Sequence, residues 1–236
     1  MTQSYSQQER DSWKQIAGEV AARLVEDDML VGLGTGSTAT AFIRALGERV
    51  KAGLRIAGAV ASSQESASLA ASLDIPMTTL DLHPELDLYV DGTDEIDPQL
   101  CLIKGGGGAL LREKIVATAS KRFIVITDIT KKVQHLGLKA PVPVEVIPFA
   151  LTPVRIRLEE AKITVQLRQH AGETFYTENH NVILDCFYDH ALTIPSGVDS
   201  WLRDIVGIVD TGLFFNMVDQ AIIVGPQGVE IKDSRF

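Results

Sequence analysis

The sequence predicts an α/β protein in which a mostly parallel sheet is flanked by helices, with a smaller α+β domain inserted ahead of the last strands. Three observations lead there. Early in the 236-residue chain, short apolar runs alternate with segments of helical periodicity, the rhythm of strand–helix–strand crossovers. Polar or glycine-rich clusters follow these apolar runs, and in such sheets ligands bind outside the carboxyl ends of the strands. After Lys132 the rhythm breaks at Pro141, Pro143, Pro148 and Pro153.

Residues 8–26 bring Trp13, Ile16, Ala17, Val20, Ala21 and Leu24 round at helical spacing. Residues 29–33 form a short buried strand, a glycine-rich turn follows, and 38–50 return to helix. A second strand spans 55–60, and a short helix spans 66–73, closed by Ile75 and Pro76. Residues 86–90 are a strand running into Asp91 and Gly92, 109–119 a helix, and 123–127 an apolar strand ending at Asp128. Beyond the prolines, 162–168 alternates like a half-buried strand, 181–188 is a second candidate, and Leu202, Ile205 and Val206 mark a short helix. Residues 212–214 and 221–224 are strand-like, the latter stopped by Gly225 and Pro226. The expected division is a large domain of residues 1–135 and 211–236 and a small α+β domain of residues 136–210, the last strands returning to the main sheet.

Hydrophobic residues make up 45% of the chain and charged residues 22%, which confines expected disorder to the polar residues 1–7. The net charge of -9 argues against a nucleic-acid surface, which needs clustered Lys and Arg. An anionic substrate would then need a locally positive site inside a negative field, best made from backbone N–H groups and a few lysines. Cys101 and Cys186 lack CxxC spacing and sit in apolar stretches, as free thiols of a reducing compartment do. With no basic segment followed by an apolar run at the N-terminus, and no apolar run near the roughly 18 residues of a span, the protein is expected to be cytoplasmic.

Three loops carry the chemistry. The first, Gly34, Thr35, Gly36, Ser37 and Thr38, joins a strand to a helix. Its glycines let backbone approach a ligand, the helix N-terminus supplies N–H groups, and Ser37 and Thr38 add hydroxyls that also suit a cap. A ligand-free tight turn is the alternative. Ser37 stands where a dinucleotide fingerprint needs glycine, and no lysine follows as in a Walker A loop, so a small monophosphate fits best. The second loop, Asp91, Gly92, Thr93, Asp94, Glu95, Ile96 and Asp97, packs four acids into seven positions. They suit a divalent cation, sugar hydroxyls or a solvated turn. The third runs from Lys104 through Gly105, Gly106, Gly107 and Gly108 to Glu113. Four glycines are entropically costly, and they allow N–H groups to face a developing oxyanion. Glu113 reads either as a general base or as a charge complementing a helix N-terminus. Lys131 and Lys132, after Asp128, are anion-binding or solvated lysines. His83, His135, His170, His180 and His190 show no zinc spacing, and no serine-hydrolase elbow is present.

Residues 32–39, 89–97 and 102–114, with 143–148 and 210–214, resemble the type A ribose-5-phosphate isomerases, over nearly the whole chain and in order. The resemblance implies a Rossmann-like domain carrying a smaller α+β domain. It also implies interconversion of D-ribose 5-phosphate and D-ribulose 5-phosphate in the non-oxidative pentose phosphate pathway, with no metal and no cofactor. By motif match, Thr35, Gly36, Ser37, Thr38, Asp91, Gly92, Thr93, Asp94, Lys104, Gly105, Gly106, Gly107 and Lys131 would bind substrate. Glu113 would carry the proton, with Asp91 or Asp94 assisting ring opening and Lys104 stabilising the enediolate. The implied partner is the sugar phosphate, with neither nucleic acid nor membrane, and the implied assembly is a homodimer. Glu178, Asn179, His180 and Asn181 depart from the family's Asp-x-Gly-Asn turn. The competing readings are a sugar-phosphate sensor and a coenzyme A transferase whose glutamate attacks a thioester.

Overall fold

The computed structural model describes residues 5–192 and 194–234. The chain divides into two compact units, Met1–Gly92 with Ile115–Lys131 and Met217–Phe236, and Thr93–Lys114 with Lys132–Asn216.

In the first unit, six strands of the described residues form one sheet in the order Gly228–Asp233, Gln220–Gly225, Phe123–Asp128, Leu88–Asp91, Leu30–Leu33, Gly58–Ala61. All neighbours are parallel except the final hairpin. Helix Gln7–Ala22 begins where Ser6 and Glu9 close a capping box, so Tyr5 to Gln7 are structured, and Met1 to Ser4 of the expected disordered stretch lie outside the described residues. The helix stops four residues short of its expected end. The Arg49 guanidinium takes the carbonyls of Ala22 and Val25, and i→i−3 bonds tighten the last turn. Trp13, Ala17 and Ala21 pack with Phe42, Ile43 and Leu46 of helix Ser37–Lys51 and with Val31, Leu33, Val90, Ile124 and Ile126 of the sheet. Ser63 caps helix Gln64–Ser72 and moves its start ahead of Ser66. The turn at Gly225 and Pro226 ends one strand as expected, but it also opens the edge strand Gly228–Asp233, whose largely exposed residues carry no burial pattern to read.

The second unit holds a four-stranded antiparallel sheet in the order Ile208–Thr211, Val142–Val146, Val182–Phe187, Thr164–Leu167. One face, with Val142, Val144, Val146, Leu184 and Cys186, meets Val154, Leu158 and Leu202 of helices Leu151–Glu160 and Pro195–Arg203 in the core. Two of the prolines lie within elements of this region. Pro143 sits inside the interior strand Val142–Val146, and Pro153 lies in the first turn of its helix, where a missing N–H costs nothing. Ile205 and Val206 fall beyond helix Pro195–Arg203. Three short strands, Leu213–Phe214, Leu102–Ile103 and Glu95–Ile96, form a small antiparallel sheet. Residues 93–114, 132–135 and 211–216 belong to the second unit, where the spacing of the sequence had assigned them to the first.

No helix of the described residues is long and apolar enough to cross a membrane. Cys101 and Cys186 are free thiols. Burial, with Asp97 beside it, pushes Cys101 up to about 11, and burial pushes Cys186 to about 12. At pH 8 the Cys101 thiolate is therefore about 100-fold scarcer than that of an open thiol. Iodoacetamide labelling of the native protein, followed by mass spectrometry, is expected to be slower by that factor at Cys101 and to spare Cys186 until the protein unfolds.

Candidate active site

In the first unit the chain order of the strands reverses between Leu30–Leu33 and Leu88–Asp91, the switch point at whose carboxyl ends ligands bind in sheets of this kind. Gly34 donates to the Val90 carbonyl at 3.0 Å, and Thr35 N–H donates to Asp91 Oδ1 at 3.0 Å. Asp91 is fully buried; Oδ1 also accepts from Gly92 N–H at 2.7 Å, and Oδ2 accepts from the Tyr89 hydroxyl. Both of its oxygens are thus engaged, Oδ1 in holding the loop and Oδ2 by its own strand. Beneath the loop lies a layer of buried serines: Ser62 Oγ meets Thr35 Oγ1 at 2.7 Å, and Ser66 Oγ donates to the Gly34 carbonyl at 2.7 Å.

Gly36, at φ 89, is the N-cap of helix Ser37–Lys51 and makes no side-chain cap bond, so neither Ser37 nor Thr38 caps it as expected. The first intrahelical bond runs from Thr40 N–H to the Gly36 carbonyl at 2.9 Å. The N–H groups of Ser37, Thr38 and Ala39 precede it and carry the partial positive charge of the helix end. A Cβ added to Gly34 would overlap the Asp91 carboxyl group. Gly34→Ala is expected to cost about 3 kcal/mol, a fall in Tm of roughly 6–12 °C by calorimetry. Lys131 is half-buried at the end of the short turn Ile129–Lys131, which follows the carboxyl end of strand Phe123–Asp128, the neighbour of the Asp91 strand.

In the second unit Lys104 Nζ stands 3.4 Å from Glu113 Oε2, with side chains 3% and 4% exposed. Strand Leu102–Ile103 delivers Lys104, whose N–H is fixed by the Gly212 carbonyl at 2.8 Å. Glu113 lies in the first turn of helix Leu110–Thr118. Between them Gly105 and Gly108 take φ of 98 and 84, which a side chain would strain, and Gly106 N–H donates to Asp94 Oδ2 at 2.7 Å. The second unit also holds Thr93, whose hydroxyl donates to the Glu95 carbonyl at 2.6 Å and the Ile103 carbonyl at 2.9 Å.

The four-acid loop is not one functional group. Glu95 is fully buried and accepts from the N–H groups of Gly137, Lys139 and Ala140 at 2.6–2.7 Å. Asp97 Oδ1 accepts from Gln99 and Cys101 N–H at 2.8 and 2.9 Å. Both organise turns. Among the described residues no cluster of three His, Cys, Asp or Glu side chains could hold a metal ion.

The polar face of the four-stranded sheet grips the Lys104–Glu113 segment. Register places Glu145, Asp185 and Asp210 on that face. Arg168, held at both Nε and a terminal nitrogen by Asp185, donates to the Gly105 carbonyl at 2.6 Å and the Gly106 carbonyl at 3.3 Å. Glu145 accepts from Asn179 Nδ2 at 3.3 Å, and Asn179 Oδ1 accepts from Arg112 Nε at 3.0 Å. Asp210 takes Lys114 Nζ at 2.9 Å, while burial holds that lysine below the ordinary lysine range against the pull of Asp210.

The family model of ribose 5-phosphate isomerase A (phosphoriboisomerase A) matches residues 58–228. The chain belongs to the ribose 5-phosphate isomerase A family. A ribose-5-phosphate isomerase A of Parvibaculum lavamentivorans is 48% identical over 95% of this chain and 99% of its own. One of Bacillus mycoides is 46% identical over 92% and 97%. Among solved structures, ribose 5-phosphate isomerase from Plasmodium falciparum superposes with a TM-score of 0.92 at 35% identity, over 96% of this chain and 100% of that one. A D-ribose-5-phosphate isomerase in complex with phospho-erythronic acid gives 0.91 at 37% identity, over 95% and 99%.

For this member of the ribose 5-phosphate isomerase A family, spacing missed Ser62, Ser66, Arg168, Asp185 and Lys114. Serines after a strand were a visible signal, whereas a lone Arg in an alternating strand was not. The departure from the family's turn is accommodated locally. His180 adopts φ 61, and Asn179 and Asn181 both donate to Glu145.

Proposed function

We propose that the protein interconverts D-ribose 5-phosphate and D-ribulose 5-phosphate through an enediolate. The observation that carries the reading is the buried Lys104–Glu113 pair at 3.4 Å, next to a glycine loop bonded to Asp94. The phosphate sits at the N–H groups of loop 34–38, with Lys131 supplying positive charge. Asp94 assists ring opening. It is half-buried and able to meet solvent or sugar, whereas Asp91 is sealed in, with Oδ1 taken by the Thr35 N–H and Oδ2 by the Tyr89 hydroxyl. Glu113, ionised, removes the proton from C2 of the open aldose. Charge moves to the C1 oxygen, where Lys104 and the Gly107 N–H stabilise it. Glu113 returns the proton to C1, and the C2 hydroxyl proton passes to the C1 oxygen, leaving the ketose. One carboxylate serves both carbons because they are adjacent.

The test is turnover of ribose 5-phosphate in the presence of EDTA. Ketose formation unaffected by the chelator supports the reading, and acyl-CoA exchange without it would establish the transferase alternative. Binding of the sugar phosphate without turnover would establish a sensor. We read the protein as a cytoplasmic homodimer: free thiols fit a reducing compartment, and Phe149 and Val206, 98% and 94% exposed, fit a contact surface.

A further inference from the structure

We propose that Arg168, oriented by Asp185, is the positioning residue that sets the two peptide planes of the glycine loop on which the reaction depends. This rests on the reading of Glu113 and the Gly107 N–H just given. In a trans peptide the C=O and the following N–H point in opposite directions, and the described residues contain no cis bond. The Gly105 carbonyl and the Gly106 N–H belong to one such plane. Arg168 draws the carbonyl to its side at 2.6 Å, and the N–H on the other edge reaches Asp94 at 2.7 Å. The Gly106 carbonyl and the Gly107 N–H form the next plane. Arg168 takes that carbonyl at 3.3 Å, so the Gly107 N–H is directed away from the guanidinium.

A run of four glycines has little intrinsic preference between these orientations and their flipped alternatives. The preference has to come from outside the loop. A planar guanidinium suits the task because it divides its donors between a carboxylate and two carbonyls at once, which an ammonium cannot reproduce. Asp185 occupies Nε and one terminal nitrogen, and so points the remaining terminal nitrogen at the loop. The two side chains are 13% and 15% exposed, which keeps competing water largely away. Neither Arg168 nor Asp185 is assigned a contact with substrate.

Arg168→Ala is expected to lower kcat about 100-fold, the scale of a small misplacement of catalytic groups, with KM within about threefold of the parent. Millimolar guanidinium added to this variant is expected to restore part of kcat, and Arg168→Lys is expected to remain impaired. Asp185→Asn, which keeps the shape but weakens the hold, is expected to fall in between. If a folded Arg168→Ala keeps kcat within twofold, or loses kcat without any guanidinium rescue, the proposal is overturned. Should Arg168→Ala not fold, Asp185→Asn decides by the same readings. Glu113→Gln measured alongside separates the two claims: an active Glu113→Gln defeats the mechanism itself, whereas an inactive one beside an unaffected Arg168→Ala defeats only the role of Arg168.

Discussion

Glu113→Gln is expected to lower kcat about 10⁴-fold, the upper range for loss of a positioned general base, because the proposed route has no second group to carry the proton. Glutamine keeps the volume of the side chain and its position in the first turn of helix Leu110–Thr118, so the loop around it should persist. Substrate affinity is expected to stay within a few-fold, since the phosphate and the sugar hydroxyls are assigned to loop 34–38 and Asp94. Equilibrium binding and single-turnover measurements check both halves of the statement. The amide also leaves the Lys104 ammonium buried beside a neutral group, so a lower melting temperature should accompany the kinetic loss. Glu113→Asp, which retracts the carboxylate by one methylene, is expected to retain activity about 100-fold below the parent. Wild-type turnover in Glu113→Gln would remove the residue from the mechanism.

Lys104→Met should harm both activity and stability. The methionine chain replaces the lysine stem, and Phe214, whose ring centre lies 5.6 Å from Nζ, gives a thioether a favourable neighbour. Packing is therefore largely conserved while the charge is lost. Breaking a buried ion pair from one side typically costs about 3–5 kcal/mol, because the remaining carboxylate has been taken from water without its counterion. In the proposed mechanism the enediolate oxygen loses its cation as well, which is expected to reduce kcat about 10²–10³-fold. Denaturant melts and steady-state kinetics on the same preparation measure the two effects. The double variant Lys104→Met with Glu113→Gln should be more stable than Lys104→Met alone, since neither charge of the pair is then left buried without its partner. A double variant no more stable than Lys104→Met would mean that the pair contributes nothing specific.

Much of the fold was legible because burial leaves a period in the chain. Helix Gln7–Ala22 and the strands Leu30–Leu33, Leu88–Asp91 and Phe123–Asp128 lie where apolar spacing put them, within a few residues. What failed did so for identifiable reasons. Pro143 disguised an interior strand and Pro153 a helix start, because proline is costly only where an N–H is needed, and need is decided by the neighbour. The edge strand Gly228–Asp233 carries no apolar period because its residues are largely exposed. The assignment of residues 93–114 to a unit depended on strands two residues long, which are too short to show a pattern.

By itself the sequence determined where chemistry could be held: a glycine-rich loop after the first strand, acids after another, and a lysine and a glutamate bracketing four glycines. Those are local facts, set by residue type and by the carboxyl ends of strands. Only the tertiary structure decided what each charged group does. It set Glu95 and Asp97 to organising turns, sealed Asp91 under its loop, left Asp94 on the glycine loop, and joined Lys104 to Glu113. It also brought Arg168 to a loop more than 60 residues away. The physical reason is that a carboxylate's role is fixed by its hydrogen-bond partners and its access to water, and those partners come from distant parts of the chain.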